Sequence, residues 1–328
     1  MEQIMLEEKK ITHEIEEAAI HNLGDGIGCL AFRSKGNSIS PAIREFILKV
    51  ATEDLLGYDG LVIGNQAKNF SVGANLFSIK EDIDKKNFPA FDHRVRSFQT
   101  MTMALKQSKK PIVAAPYKNT LGGGLEVVLH AHARVALRKS YMGLVEVGVG
   151  LIPGGGGTKE SALMAARAAE AGEQTRVRQK AFERLTIRTV SANAEEAKEF
   201  GYLQPADQIV ETPEELIGSA KAVCLARLAD GLTGKGEERV LLPGKAGYDL
   251  LMEHAEGLLA AGTITPYDLA IGKRIALVLC GSATEEAREY GEWEILDLER
   301  RMFVELTRDP GTYERIRHFI EKNELLRN

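Results

Sequence analysis

Residues 117–130 read YKNTLGGGLEVVLH. Three glycines stand together, and behind them Glu126 sits in an apolar run, Leu125, Val127 and Val128, that reads as the start of a helix. Glycine is the residue freest to turn a chain and to let another group approach the backbone. The first turn of a helix has unpaired N–H groups and a partial positive charge, so it attracts an anion or an oxygen on which negative charge develops. Gly122, Gly123 and Gly124 either permit a tight strand-to-helix turn or open N–H groups to a ligand oxygen, and taken alone they leave both readings standing.

The segments around this stretch set the fold class. IGCLAF from Ile27, GLVIGN from Gly60, PIVAAP from Pro111 and ARVAL from Ala133 read as buried strands. PAIREFILKVATEDLL from Pro41 carries apolar residues at helical spacing with proline near its start, and a polar and aromatic helical stretch runs from about Phe77 to Lys106. This alternation argues an α/β fold with parallel pairing and with loops gathered at strand ends, where ligands usually sit. From about Thr212 the pattern becomes helical with charged faces, so the expected division is a core over residues 1–211 and a helical C-terminal region over 212–328. The last long helix is read from about Thr284 to Leu306, with Ile295, Leu298, Met302 and Leu306 on one face, ending at Asp309-Pro310-Gly311. MAARAAEAGEQTRVRQK, from Met164, reads as a solvated helix.

Two features bear on what the glycines do. NFSVGANL, from Asn69, is a second glycine turn after an apolar strand and offers a second N–H donor. Glu146, in YMGLVEVGVGLIPGGGG from Tyr141, is a second glutamate among apolar residues and glycines. A lone glutamate in such a run is most often at a solvated edge or in an ion pair. Two beside glycine turns suggest a pair of buried carboxyls, whose proton affinities are pushed apart so that one acts as general acid and the other as general base.

PIVAAPYKNTLGGGLEVVLHAHARVAL followed by YMGLVEVGVGLIPGGGGTKE, with KNFSVGANL upstream, closely resembles the crotonase (enoyl-CoA hydratase/isomerase) superfamily, and most of all the hydratase part of bacterial multifunctional fatty-acid β-oxidation proteins. The similarity runs from about Ile27 to Leu203 and more weakly to the C-terminus; the motifs are specific as a set and not singly. The resemblance implies a spiral of ββα units with a helical C-terminal region that builds trimers or hexamers. It implies oxyanion-hole donors at Ala74 and Gly123, catalytic carboxyls at Glu126 and Glu146, and substrate contacts at Gly73, Gly122, Gly124 and Phe77. The implied reaction is hydration of a trans-2-enoyl-CoA in fatty-acid β-oxidation, with no cofactor beyond the coenzyme A of the substrate. The alternatives are a Δ3,Δ2-enoyl-CoA isomerase using one glutamate and a non-catalytic acyl-CoA-binding domain of a multifunctional complex. Acyl-chain length is expected to be read by the segment after Ala74, through Leu76, Phe77, Ile79, Phe88, Phe91 and Phe98, although core packing explains these side chains at least as well.

The chain departs from the family pattern at Asn75, where aspartate is frequent, at Val145, where proline is frequent, and over Lys159 to Lys180, which is longer than usual. Competing motifs fail. Gly154 to Thr158 with Lys159 mimics a phosphate loop, but the lysine does not follow the last glycine as GxxxxGK[ST] requires. No GxGxxG follows a strand, so the dehydrogenase half of a multifunctional protein is expected in a longer fusion and not in this chain. GxSxG and HExxH are absent, and His130 and His132 are expected to be structural.

Composition limits the remaining classes. The 328 residues are 44% hydrophobic and 27% charged with a net charge of −5, without the basic excess of a nucleic-acid-binding protein. Cys29, Cys224 and Cys280 are far apart and form no CxxC pair, which suggests neither a disulfide framework nor a metal site and fits a cytoplasmic setting. The N-terminal MEQIMLEEKK has no signal-peptide apolar stretch, and IALVLC, from Ile275, is too short to span a bilayer, so no membrane is expected as partner.

Overall fold

The computed structural model describes residues 3–231, 234 and 236–328. They group into two compact units whose segments interleave along the chain and do not divide at 211/212. The first comprises the residues up to Asn75, Thr100–Gly143 and Val190–Gly236; the second comprises Leu76–Gln99, Leu144–Thr189 and Glu237–Asn328.

The strands of the first unit are β1 (Ile11–Ile15), β2 (Ala18–Gly24), β3 (Ile27–Phe32), β4 (Gly60–Ile63), β5 (Ile112–Ala114), β6 (Lys118–Leu121), β7 (Ala133–Leu137), β8 (Ser140–Gly143) and β9 (Gln208–Val210). Seven of them form a sheet in the order β1-β2-β3-β4-β5-β7-β9. β1, β2 and β3 pair antiparallel, and every pair from β3 onward is parallel. β3, β4, β5 and β7 are buried at every position, as expected of parallel strands covered on both faces. The helix Pro41–Thr52 makes the β3-to-β4 crossover, started by Pro41 and by Ser40, whose Oγ accepts from Ile43 N at 3.2 Å.

A second layer follows the same order. Single parallel bridges join Ile39 to Ala74 and Ser71 to Thr120, and β6 pairs parallel with β8 from Lys118↔Ser140 to Leu121↔Gly143. Each turn of chain thus adds one strand to the main sheet (β3, β4, β5, β7) and one short extended piece to the second layer (Ile39, Ser71–Ala74, β6, β8). This is the ββα spiral, and it sets the ends of successive second-layer pieces side by side. The helix Pro213–Ala229, expected in the C-terminal region, packs on β4, β5 and β7. Leu216, Ile217, Ala220 and Cys224 are its buried face, and a Cβ on Gly60 would lie 2.5 Å from Cys224 Sγ.

The second unit is mainly helical: Leu76–Asp84, the first part of Phe88–Gln107, Gly157–Ala166, Ala171–Ile187, Gly244–Ala260, Pro266–Cys280, Glu292–Leu306 and Pro310–Lys322, with one antiparallel ribbon of β10 (Arg239–Leu242) and β11 (Arg288–Gly291). Pro266–Cys280 is its central helix, and IALVLC belongs to it, apolar all round because other helices pack around it. The stretch from Met164 is two helices broken over residues 167–170. The last long helix begins at Glu292, after β11, and ends at Leu306 as expected, and a further helix, not expected, starts at Pro310. Among the described residues no helix is long and apolar enough to cross a membrane.

Candidate active site

The two glycine turns meet within the first unit. Residues 70–74 run alongside β6: Ser71 N donates to Asn119 O at 3.1 Å and Leu121 N donates to Ser71 O at 3.0 Å. On the other side Ile39 N donates to Gly73 O at 2.9 Å. Ser71 Oγ donates to Asn37 O at 2.7 Å and accepts from Gly73 N at 3.2 Å, so this buried serine sets the shape of the turn. Gly73 has φ of +93°, and a Cβ there would stand 3.0 Å from Leu121 O and 3.1 Å from Gly123 N. No other residue fits that backbone and that approach. Tyr117, the first residue of the quoted stretch, braces the preceding loop by donating its hydroxyl to Ala67 O at 2.9 Å, and burial pushes its pKa well up.

Gly122 precedes the helix Gly123–Leu129 with φ of 52° and ψ of −128°, and its N–H donates to Gly143 O at 2.9 Å. Ala74 follows Gly73, and Gly123 opens the helix. Among the described residues neither the Ala74 nor the Gly123 N–H is taken up by an acceptor of the protein. Two donors left over at adjoining turns are what a developing oxyanion requires.

Glu126 lies on the first turn of that helix and is 3% exposed, among the buried Leu125, Val127 and Val128. His130 closes the helix: its N–H bonds Glu126 O at 3.3 Å and its Nδ1 lies 2.7 Å from the same carbonyl. His132 Nδ1 accepts from Ile112 N at 3.0 Å, which leaves Nε2 to donate to Lys106 O at 3.1 Å. Both imidazoles are tied to backbone, in structural positions.

Glu146 belongs to the second unit and starts the short 3-10 turn Glu146–Val149, where it is half-buried. The turn is held from outside. Arg315 Nη1 donates to Val147 O at 2.7 Å and Thr312 Oγ1 donates to Gly150 O at 2.5 Å. A Cβ on Gly150 would lie 2.6 Å from Thr312 Cα, so the helix Pro310–Lys322 rests directly on this turn.

The glycine loop before Lys159 also lies in the second unit, and its anion position is filled from within the protein. Glu299, fully buried, accepts from Gly156 N at 2.7 Å through Oε1 and from Lys159 N at 2.9 Å through Oε2. A carboxylate thus stands at the start of the helix Gly157–Ala166 where a phosphate loop would hold phosphate. Lys159 is turned away, its Nζ 2.8 Å from Glu292 Oε2 with both side chains fully buried.

The helix Leu76–Asp84 follows the first glycine turn in sequence and belongs to the second unit. Phe77 is 68% exposed on it, while Ile79 is buried. Phe91 is a core ring, stacked on Phe303 at 5.8 Å. Phe88 lines an open groove of about 680 Å³ with Pro89, Pro310 and Tyr313, and the Arg308 guanidinium lies 4.8 Å from its ring. Sequence reading missed Ser71, Glu299 and Arg315. A serine inside a glycine turn is a signal for the first, whereas the other two sit on ordinary amphipathic helices and announce nothing.

A family model described as "Enoyl-CoA hydratase/isomerase" matches residues 38–171. A Bacillus subtilis protein described as a probable 3-hydroxyacyl-CoA dehydrogenase is 38% identical over 326 residues, which are 99% of this chain and 41% of that protein. The chain therefore spans about two fifths of that relative's length. A second Bacillus subtilis protein, named "Putative enoyl-CoA hydratase/isomerase YngF", is 33% identical over 193 residues, 57% of this chain and 67% of its own. Among solved structures, an enoyl-CoA hydratase from Bacillus halodurans superposes with a TM-score of 0.61 over 91% of this chain and 98% of that one; at 15% identity the likeness is one of fold.

Proposed function

The chain belongs to the enoyl-CoA hydratase/isomerase (crotonase) family, and we propose that within it the chain adds water to a trans-2-enoyl-CoA, giving a 3-hydroxyacyl-CoA, as a step of fatty-acid β-oxidation. The observation that carries this reading is the close approach of Gly73 to Gly123, with the Ala74 and Gly123 N–H groups left for an incoming oxygen.

In the proposed reaction those two N–H groups receive the thioester oxygen. One of Glu126 and Glu146 takes a proton from water as the hydroxyl bonds to C3. The electron pair of the double bond moves onto the thioester, whose oxygen becomes enolate-like between the two donors, and the other glutamate gives its proton to C2. Each donor is expected to contribute about a hundred- to a thousandfold in rate. Gly73, Gly122 and Gly124 let the oxygen and the two turns come together. Isomerisation between Δ3 and Δ2 positions needs one carboxyl; the presence of both Glu126 and Glu146 favours hydration.

Relatives named for acyl-CoA chemistry support an acyl-CoA thioester as substrate, and the dehydrogenase-named relative supports work beside a 3-hydroxyacyl-CoA dehydrogenase domain in a longer fusion. No separate cofactor enters the proposed chemistry. A homotrimer or hexamer is part of the proposal. In the helix Glu292–Leu306, Ile295 is buried while Leu298 and Met302 are half-buried, so of these three the latter two are left for a neighbour to cover. The activity is tested by following hydration of crotonyl-CoA beside isomerisation of a 3-enoyl-CoA. Hydration should dominate, and isomerisation without hydration would replace this reading by the isomerase.

A further inference from the structure

We infer that Arg315 is a positioning residue: it holds the turn that carries Glu146, and so governs the proposed hydration without touching substrate. This rests on the assignment of Glu146 as one of the two reacting carboxyls.

The turn Glu146–Val149 is closed by its own bonds from Gly148 N to Val145 O at 3.0 Å, Gly150 N to Val147 O at 3.0 Å and Leu151 N to Glu146 O at 3.1 Å. It is a single 3-10 turn with Gly148 inside and Gly150, at φ of +85°, closing it. The C-terminal helix adds a hold from outside the turn. Arg315 is 1% exposed, and all three nitrogens of its guanidinium are engaged: Nη1 donates to Val147 O and to Asp268 Oδ1, each at 2.7 Å, Nη2 to Thr265 Oγ1 at 3.2 Å and Nε to Asn328 Oδ1 at 2.7 Å. Val147 is the residue directly after Glu146, so the arginine holds the Val147–Gly148 peptide, one peptide beyond the glutamate, and fixes the turn on which that side chain stands.

The grip is itself anchored. Asp268, fully buried, accepts from Arg188 Nη1 at 3.0 Å as well, and the Arg188 Cδ lies against Gly148, 3.2 Å from where its Cβ would be. Burial alone would raise the Asp268 pKa; the Thr265 N–H and the two guanidiniums outweigh it and hold the carboxyl ionised, below the ordinary aspartate range. A planar fork locked on both edges fixes direction as well as charge, which a lysine ammonium does not. A carboxyl displaced by about 1 Å is expected to lose on the order of a hundredfold in rate.

The test compares Arg315→Lys, Glu146→Gln and the double variant by hydration kinetics, with thermal melting on each. Arg315→Lys should lower kcat about ten- to a hundredfold with KM changed far less, and in the Glu146→Gln background it should add almost nothing, because both changes act on one group. An unchanged kcat, or an equal loss in both backgrounds, overturns the inference. Near wild-type activity in Glu146→Gln would instead remove the reading beneath it. Should Arg315→Lys fail to fold, Thr312→Val, which removes the hydroxyl on Gly150 O, takes its place: a severalfold lower kcat with the same non-additivity supports positioning, and wild-type kcat overturns it.

Discussion

Gly124 and Ser71 lie so close that a Cβ on Gly124 would fall 2.6 Å from the Ser71 Cβ and 2.8 Å from its Oγ. Gly124→Ala therefore has to push the Ser71–Ala74 segment off the helix mouth. The expected outcome is a kcat lowered about a hundred- to a thousandfold, the size of one lost oxyanion donor, with a lower Tm. Gly257→Ala is the matched control. It lies exposed inside the helix Gly244–Ala260 with nothing within 4 Å of its Cβ position, and should stabilise by about 0.5–1 kcal/mol with activity intact. Melting curves and steady-state kinetics on both variants check this, and full activity in Gly124→Ala would dissociate the two turns from the chemistry.

Lys159 and Glu292 form an ion pair in the core, with Glu160 as a second partner of the amine. Burial pushes the lysine pKa down, but the two carboxylates outweigh it and the amine stays charged. Lys159→Met leaves the Glu292 carboxylate buried without its cation and should destabilise by about 3–5 kcal/mol, whereas Lys159→Met with Glu292→Met should recover most of that loss. Denaturant titration of the single and double variants decides it; a single variant as stable as wild type would contradict the pairing.

All three thiols are inert in the folded chain. Burial raises the pKa of Cys29, Cys224 and Cys280 to about 12 each, and all three are fully buried. At mildly alkaline pH the native protein should react with a thiol-specific aromatic disulfide slowly or not at all, and release three equivalents when denatured. Rapid native labelling of any one would place that cysteine at a surface.

β3, β4, β5 and β7 were legible because each is buried on both faces and so reads as an unbroken apolar run, as in IGCLAF and GLVI. β6 (KNTL) and β8 (SYMG) were not, since they mix polar with apolar residues and carry no apolar run. β1 and β2 mix Thr, His, Asn and Glu with apolar residues and gave no clean alternation. Asp309-Pro310-Gly311 follows the end of the helix Glu292–Leu306, as read, and the same residues also start the next helix. Asp309 Oδ1 accepts from Gly311 N at 2.9 Å and Pro310 takes the first helical position. At the candidate site the glycine turns and both glutamates stood out by residue type and spacing. Arg315 did not, because a buried, hydrogen-bonded arginine is written in sequence just as a solvated one is.

Addition of water at C3 is tested most directly by turnover of crotonyl-CoA in heavy-oxygen water. The expected product is a 3-hydroxyacyl-CoA carrying one heavy oxygen on C3 by mass spectrometry, with formation slowed at least a hundredfold in Glu126→Gln and in Glu146→Gln. Recovery of unlabelled enoyl-CoA from the wild-type protein, or label appearing equally fast in either variant, would contradict it.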